Sequence, residues 1–246
     1  MSKLRAYFLI DPLIVLATAC MGTVSLFASL ADPSGKLPHR IARAWSRMLI
    51  FVSGMRVRVE GLEWIEPGAS YVIASNHLSL MDTPLVLAHI PLQFRFLAKR
   101  GLFGIPFIGG HLRRAGHISI PRDDARGSLK AMTEAAHAIR EQGVSALVFP
   151  EGGRSEGQLK EFKEGAAYIA IKAGVPIIPV AIRGTREVLP MGSAVVRPGK
   201  VLLRIGEPVP TAGLPLQDRA RLTTEVRERI ARLITDARAS AAEPAS

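Results

Sequence analysis

The chain has 246 residues, and its 32 Lys and Arg against 21 Asp and Glu give a formal net charge of +11. Its mean hydropathy of +0.21 and hydrophobic fraction of 48% exclude disorder over most of the length. A single cysteine, Cys20, excludes a disulfide framework and a cysteine-based zinc site. The basic charge favours an anionic partner, and composition alone leaves nucleic acid, an anionic membrane surface and a phosphorylated substrate open.

The first predicted element is an apolar helix. Residues 13–31 carry no charge, and a helix of that length reaches about 28 Å. This is the lower edge of what spans a hydrocarbon core of about 30 Å, so the helix either spans the bilayer or only dips into it. Lys3 and Arg5 precede the apolar run, which leaves a signal peptide as an alternative.

A second predicted helix is basic and amphipathic. Its apolar residues recur at helical spacing: Ile41, Trp45, Met48, Leu49 and Val52. Arginines occupy the opposite face: Arg40, Arg43 and Arg47. Such a helix suits the lipid headgroup region, and the alternative is a helix packed on the protein's own core. If the first helix spans, the basic residues between 36 and 47 favour the cytoplasmic face of the inner membrane for the chain that follows. We therefore predict an N-terminal membrane-associated helical segment, residues 1–53.

Residues 54–246 form the second predicted domain. Strand patterns occur at residues 57–59, 71–74, 94–98, 117–120, 146–149, 177–182 and 201–205. Helical patterns occur at residues 83–89, 125–141, 166–172 and 216–234. This alternation predicts the α/β class, with a mostly parallel central sheet flanked by helices.

Ligands of such sheets collect at the carboxyl ends of strands. The predicted strand 71–74 is followed by Asn76 and His77 and, five residues after His77, by Asp82. In a straight helix that spacing puts His77 and Asp82 about 140° apart, so they meet only if the chain turns between them. A carboxylate bonded to one imidazole nitrogen leaves the other nitrogen free to act as a base. The alternative is that Asp82 only caps the helix over 83–89 and that His77 is an ordinary loop residue.

A second polar cluster, residues 149–155, also follows a buried strand. Gly152 and Gly153 let backbone N–H groups approach a ligand, and Arg154 can bind a phosphate with two donors. Lys163 precedes a predicted helix, whose N-terminus favours an anion. Basic residues around the apolar run 104–110 suit an amphiphile with an anionic head. The alternatives are a surface turn and a solvated basic face.

Several motifs are absent. The sequence has no Gly-x-Ser-x-Gly elbow, no Walker loop and no dinucleotide-binding glycine pattern after a strand. The remaining histidines, apart from His77, show no metal-ligand spacing with carboxylates: His39, His89, His111, His117 and His137. Aromatic residues make up only 6% of the chain, which disfavours nucleic acid as the partner. We therefore predict neither a metal site nor nucleic-acid binding.

The polar clusters together resemble the glycerolipid acyltransferases, and in particular the 1-acylglycerol-3-phosphate (lysophosphatidic acid) acyltransferases. His77 to Asp82 matches the His-x4-Asp motif of that family. Further blocks at residues 116–122, 149–155 and 175–180 follow in the family's order, with 162–166 as an additional match. The likeness covers about residues 40 to 210 and implies a glycerol-3-phosphate acyltransferase-like α/β fold.

The resemblance also implies a reaction and roles. An acyl group would move from acyl-CoA or acyl carrier protein to the sn-2 hydroxyl of 1-acylglycerol 3-phosphate, giving phosphatidic acid at a phospholipid membrane. His77 would be the base and Asp82 its orienting partner, with no bound cofactor. The implied phosphate-binding residues are Arg154, Gly152, Gly153, Lys163, Lys99 and Arg122. The implied supporting residues are Asn76, Glu151 and Ser155.

The third block departs from the family pattern, because Gly153 stands where threonine is common. That removes a hydroxyl near the expected phosphate and leaves the acceptor head group open. The alternative acceptors are glycerol 3-phosphate, another lysophospholipid and a lyso-aminolipid. A non-catalytic membrane lipid-binding module is the alternative of another class.

Overall fold

The computed structural model describes residues 11–32, 34–121 and 124–242. Its strands are β1 (Met55–Glu60), β2 (Val72–Ser75), β3 (Phe94–Lys99), β4 (Ile118–Ile120), β5 (Ser145–Val148), β6 (Ile177–Arg183) and β7 (Gly199–Ile205). Within these described residues they form one sheet in the order β1-β7-β6-β2-β5-β3-β4. Every neighbouring pair is parallel except β6 and β7. The predicted α/β class and mostly parallel sheet are confirmed.

The described helices are α1 (Asp11–Ala31), α2 (Lys36–Ser53), α3 (Asp82–His89), α4 (Ile108–Arg114), α5 (Ala125–Gln142), α6 (Gly165–Ala173), α7 (Thr185–Val188) and α8 (Arg219–Ala242). Residues of α2 and α3, such as Leu49 and Leu85, pack on one face of the sheet. Residues of α5, α6 and α8, such as Ile139, Ile169 and Ile230, pack on the other. Since helices cover both faces, the central strands β2 and β5 are buried throughout and consist largely of apolar residues.

Helix α2 packs against the protein's own core. Leu49 and Ile50 belong to the same apolar cluster as β2 and α3, and the indole of Trp45 donates to Thr18 Oγ1 of α1 at 3.1 Å. Helix α2 ends at Ser53, and the residue that caps it, Gly54, has a φ of 69°, a conformation that glycine adopts readily. The apolar face of α2 thus packs on the protein's own core, which is the alternative that the sequence left open. The division of the chain into 1–53 and 54–246 stays a prediction.

Helix α1 lies alongside the domain and keeps an apolar outer face. Among the described residues one segment, Pro12–Ala31, is long and apolar enough to cross a membrane by length and composition. On its inner side Ser25 Oγ lies 2.6 Å from His111 Nδ1, and a side chain at Gly22 would collide with Phe107. Its exposed residues include Val15, Leu16, Val24, Phe27 and Leu30.

The apolar run 104–110 joins two helical segments. A 3-10 helix, Arg100–Gly104, leads through a turn into α4. The close approach is possible because Gly109 has no side chain: a Cβ there would lie 2.1 Å from Phe103 O. The turn thereby positions α4 against α1, with Phe107 next to Gly22 and His111 next to Ser25.

Candidate active site

The two polar clusters meet at the carboxyl ends of β2 and β5, which are neighbours in the sheet. The backbone N–H of Ser155 donates to His77 O at 2.7 Å. In return, the backbone N–H of His77 donates to Glu151 Oε1 at 2.7 Å. Parallel neighbours end at the same edge of a sheet, so two segments far apart in the sequence form one site.

His77 and Asp82 form a hydrogen-bonded pair. The distance between His77 Nδ1 and Asp82 Oδ2 is 2.7 Å, and the side chains are 15% and 0% exposed. The chain between them turns at the junction of β2 and α3, as the spacing requires. Because Nδ1 faces the carboxylate, Nε2 is the imidazole nitrogen that is free to accept a proton.

The Asp82 carboxylate receives four hydrogen bonds. Oδ2 accepts from His77 and from the backbone N–H groups of Leu78 at 2.6 Å and Ser79 at 2.8 Å. Oδ1 accepts from Thr185 Oγ1 at 2.5 Å. Asp82 is therefore not the helix cap considered from sequence: Met81 occupies that position and Asp82 is the first residue of α3. These donors compensate a buried carboxylate and fix its direction.

Three predicted supporting residues surround the pair. The Asn76 side chain donates to Ile182 O at 3.0 Å and accepts from Ile182 N at 2.8 Å, which joins the ends of β2 and β6. Glu151 Oε2 accepts from the backbone N–H of Lys160 at 3.1 Å. Ser155 binds the carbonyl of His77 through its backbone and, at 3.3 Å, its hydroxyl. Their contacts match the predicted supporting roles, which stay predictions until variants are measured.

A large cavity opens beside the pair. Its volume is about 1250 Å³, and His77 is in its wall. The His77 ring stacks on Phe149, with the ring centroids 4.1 Å apart and the planes at 17°. This contact covers one face of the imidazole.

The cavity bends around the ends of β3 and β5. Phe96 and Leu97 are consecutive in β3, and Val148 and Phe149 are consecutive at the end of β5; all four line it. Successive strand residues point to opposite faces, and each pair indeed belongs to two different apolar cores. The cavity therefore has a part on each face of the sheet, and His77 lies near the place where the two parts join.

The two parts are called the N-terminal arm and the α5–α6 arm, after the helices that form their walls. The N-terminal arm lies among α1, α2 and α3, with a mainly apolar lining that includes Ile14, Trp45, Leu49 and Leu87. The α5–α6 arm lies on the other face and reaches the start of α8. Its lining includes Ser128, Leu129, Met132, Tyr168 and Arg219.

The predicted phosphate-binding residues separate into two groups. Lys99, Lys163 and Gly152 line the cavity together with His77, and Lys163 crosses so close to Gly152 that a Cβ there would lie 3.0 Å from Lys163 Cε. Arg154 and Gly153 lie in the adjacent loop, outside the cavity wall. The Arg154 guanidinium has no partner within the described part of the chain. Arg122 lies outside the described residues.

Three histidines and an arginine are buried where α1 and α2 meet the sheet. Burial lowers the pKa of His39 and of His111 to about 4 each and the pKa of His117 well below its usual range. Burial also lowers the pKa of Arg95, whose guanidinium donates to Ser34 O at 3.0 Å and Gln142 Oε1 at 3.1 Å. His111 alone of these four lines the cavity, and a neutral imidazole there adds no charge to the N-terminal arm.

Thr185 also contacts the pair, although no local sequence pattern singles it out. It lies just after β6, and its hydroxyl reaches Asp82 across 103 positions of sequence. Over residues 11–32, 34–121 and 124–242, no group of three or more His, Cys, Asp or Glu side chains has a metal-binding arrangement.

A family model described as Acyltransferase matches residues 56–183, slightly more than half of the chain. The chain belongs to the acyltransferase family. The matched segment includes both polar clusters and the end of β6.

Related acyltransferases are known from several sources. The chain is 33% identical over 187 residues to a chloroplastic 1-acyl-sn-glycerol-3-phosphate acyltransferase, LPAT1, of Arabidopsis thaliana, covering 74% of this chain and 52% of that one. It is 32% identical to the human 1-acyl-sn-glycerol-3-phosphate acyltransferase alpha, covering 76% and 67%. The chain thus spans about half the length of the plant relatives that it matches first.

A solved structure matches over the full length. The crystal structure of the 1-acyl-sn-glycerophosphate (LPA) acyltransferase PlsC from Thermotoga maritima superimposes with a TM-score of 0.83 at 30% sequence identity. The match covers 100% of both chains, including the N-terminal helices. The arrangement of helices around the sheet is therefore that of an acyltransferase.

Proposed function

We propose that the protein transfers a fatty acyl group from a thioester donor to the free sn-2 hydroxyl of 1-acylglycerol 3-phosphate, giving phosphatidic acid. The observation that carries the proposal is the His77–Asp82 pair: Nδ1 of His77 is bound to Asp82, Nε2 has no partner among the described residues, and His77 lines a large and mainly apolar cavity. The names of the family members that the chain resembles support this substrate.

In the proposed reaction His77 acts as a general base. Its Nε2 takes the proton of the sn-2 hydroxyl while that oxygen attacks the carbonyl carbon of the thioester. The C–O bond forms, the C–S bond breaks, and the proton moves from His77 to the departing thiolate, which leaves as a free thiol. Asp82 stabilises the imidazolium between these steps, and a well-positioned base of this kind contributes roughly 10²–10⁴-fold in rate.

The acceptor phosphate has two kinds of donors near His77. Lys99 and Lys163 line the cavity and form no ion pair with any described residue. The backbone N–H groups of Gly153 and Arg154 donate to no acceptor within the described ranges. We propose that these amides and lysines, with the Arg154 guanidinium, bind the phosphate in place of the threonine hydroxyl that Gly153 lacks.

We further propose that the enzyme is bound to the cytoplasmic face of the inner membrane. The exposed apolar side of α1 suits contact with lipid tails, and the basic residues of α2 suit anionic headgroups. Extraction of membranes with high salt and with detergent tests the attachment, and protection from protease in vesicles of known orientation tests the side. Release by salt alone would contradict an apolar anchor.

The reaction is tested by acyl transfer to 1-acylglycerol 3-phosphate from palmitoyl-CoA in detergent. His77→Ala is expected to lose at least about 10²-fold in kcat, and His137→Ala, an exposed histidine on α5, is the matched control. Activity that survives His77→Ala would contradict the mechanism. An inactive wild type would contradict the acceptor or the donor, and glycerol 3-phosphate, other lysophospholipids, lyso-aminolipids and acyl carrier protein donors are assayed in parallel. Inactivity on all of them would favour a lipid-binding module.

A further inference from the structure

A thioester donor is a linear molecule with its reacting carbon in the middle. The fatty chain extends from one side of the carbonyl and the carrier from the other, so a site that reacts at His77 needs room on both sides. The cavity has this shape, because its two arms leave the region of His77 on opposite faces of the sheet. The two arms also differ in chemistry.

From this difference we infer that the α5–α6 arm binds the phosphopantetheine arm of the donor. The inference rests on the proposed function. Phosphopantetheine is common to acyl-CoA and to acylated acyl carrier protein, and it combines amides, methyl groups and a terminal phosphate. The N-terminal arm, which is mainly apolar, is left for a fatty chain.

The lining of the α5–α6 arm matches this mixed ligand. Leu129 and Met132 supply apolar contacts, and the Tyr168 hydroxyl, 3.0 Å from Thr133 Oγ1, supplies a polar one. The arm passes close to α6 at Gly165, where a Cβ would lie only 3.0 Å from Met132 Sδ. Any larger residue at 165 would therefore press on Met132.

The outer end of the arm is open to water and carries an arginine with an unused donor group. Leu129 is 48% exposed, and the Arg219 side chain is 46% exposed. Arg219 Nε pairs with Glu164 at 2.5 Å and Nη1 donates to Leu216 O at 3.1 Å, while Nη2 has no partner in the described chain. Arg219 thus keeps one free donor pair at this end of the cavity. A water-soluble, phosphorylated carrier suits this end, in contrast to the apolar surface around α1.

A larger side chain in the α5–α6 arm tests which ligand binds there. Leu129→Trp adds bulk in the arm, and Lys130→Trp adds the same side chain one residue along α5, outside the cavity. We expect Leu129→Trp to raise the KM for palmitoyl-CoA and for palmitoyl-acyl carrier protein at least about threefold, while the KM for 1-acylglycerol 3-phosphate is unchanged. An effect on acyl-CoA alone would overturn the assignment to the shared carrier.

Reversing the charge at the open end tests the phosphate contact. Arg219→Glu is compared with Arg221→Glu, since both arginines are exposed, lie two residues apart on α8 and pair with one carboxylate, but only Arg219 lines the cavity. We expect Arg219→Glu alone to raise the KM for palmitoyl-CoA about fivefold at low salt and less at high salt. Palmitoyl-N-acetylcysteamine, which lacks the phosphate, is expected to be insensitive to Arg219→Glu.

Two results would overturn the inference. One is a raised KM for the lysophospholipid with an unchanged KM for both donors, which would assign the arm to the acceptor. The other is no change in any KM for Leu129→Trp and Arg219→Glu. If wild type acylates no lysophosphatidic acid, the proposed function fails, and direct titration of CoA still decides this inference. CoA must then bind more weakly to Leu129→Trp and Arg219→Glu than to the two controls.

Discussion

Replacing Thr185 with valine removes one hydroxyl and keeps the shape of the side chain. In the described structure this hydroxyl is the only donor to Asp82 Oδ1, at 2.5 Å, and both residues are 0% exposed. Water therefore has no access to replace the lost donor. The change leaves one oxygen of a buried carboxylate without a hydrogen bond.

The size of the effect follows from that geometry. A hydrogen bond to a charged group contributes about 1.5–3 kcal/mol, and an orphaned buried acceptor incurs a cost in the same range. We expect Thr185→Val to lower the free energy of unfolding by about 2 kcal/mol. We also expect kcat to fall about 10-fold, because a carboxylate that can rotate orients the His77 ring less well; about 1.4 kcal/mol in the transition state corresponds to that factor.

The assay measures kcat and both KM values with palmitoyl-CoA and 1-acylglycerol 3-phosphate, together with urea unfolding in the same detergent. Thr185→Ser keeps the hydroxyl and is expected to restore most of kcat. A purely structural role would lower the amount of folded protein and leave kcat per folded molecule unchanged. Wild-type kcat and stability in Thr185→Val would refute the idea that this hydroxyl positions Asp82.

Three further predictions concern the turn before Thr185, the Glu151 carboxylate and two buried histidines. Gly184→Ala is expected to destabilise the fold by at least about 2 kcal/mol in urea unfolding and to lower kcat, because φ is 86° there and a Cβ would lie 2.1 Å from Lys200 O. Glu151→Gln is expected to lower kcat about 10-fold, because both carboxylate oxygens accept backbone N–H groups and an amide nitrogen cannot replace an acceptor. Stability is expected to fall by about 2 kcal/mol per histidine between pH 7 and pH 5 for His39 and His111, since unfolding lets each regain a pKa near 6.5 and bind a proton.

Each of these has its own control. Gly192→Ala has a similar φ of 78° with no atom near the new Cβ, so it measures backbone strain without the clash. Glu156→Gln changes an exposed carboxylate on the same loop as Glu151 and should keep full kcat. For the pH prediction, urea midpoints of wild type and His111→Asn are compared. Equal slopes between pH 7 and pH 5 would show that burial of His111 does not cause the loss.

Local sequence patterns predicted where the site lies in the fold. His77 and Glu151 each follow a strand that reads as a short buried run, and strand ends meet along one edge of a parallel sheet. The strand ends therefore predict a site at this edge, whereas the pairing of His77 with Asp82 was implied by the resemblance to the His-x4-Asp family, because the spacing alone left Asp82 open as a helix cap. Thr185 had no such signal, because its contact depends on β6 being the other neighbour of β2, and strand order is not written in local patterns.

The arms of the cavity were harder to predict for a different reason. Leu129 lies on the apolar stripe of α5, and the helical spacing predicts that it belongs to the core together with Met132 and Ile139. In the structure Ile139 is buried, whereas Leu129 is half exposed and lines the cavity. Periodicity identifies the face of a helix that turns inward, but whether that face meets a core or a cavity depends on what packs opposite.

Strand β2 lies between β6 and β5. The residues that hold the catalytic pair and the residues that line the cavity therefore lie largely on different sides of it. On the β6 side, Asn76 joins Ile182 and Thr185 holds Asp82, and these three partners lie outside the cavity wall. On the β5 side, the contacts to the pair within the described chain come from Phe149, Glu151 and Ser155. Changes on the β6 side should therefore lower kcat and spare KM. Changes at wall residues that do not contact the pair, such as Leu129→Trp, should raise a KM and spare kcat, so that substrate preference can vary while the base stays fixed.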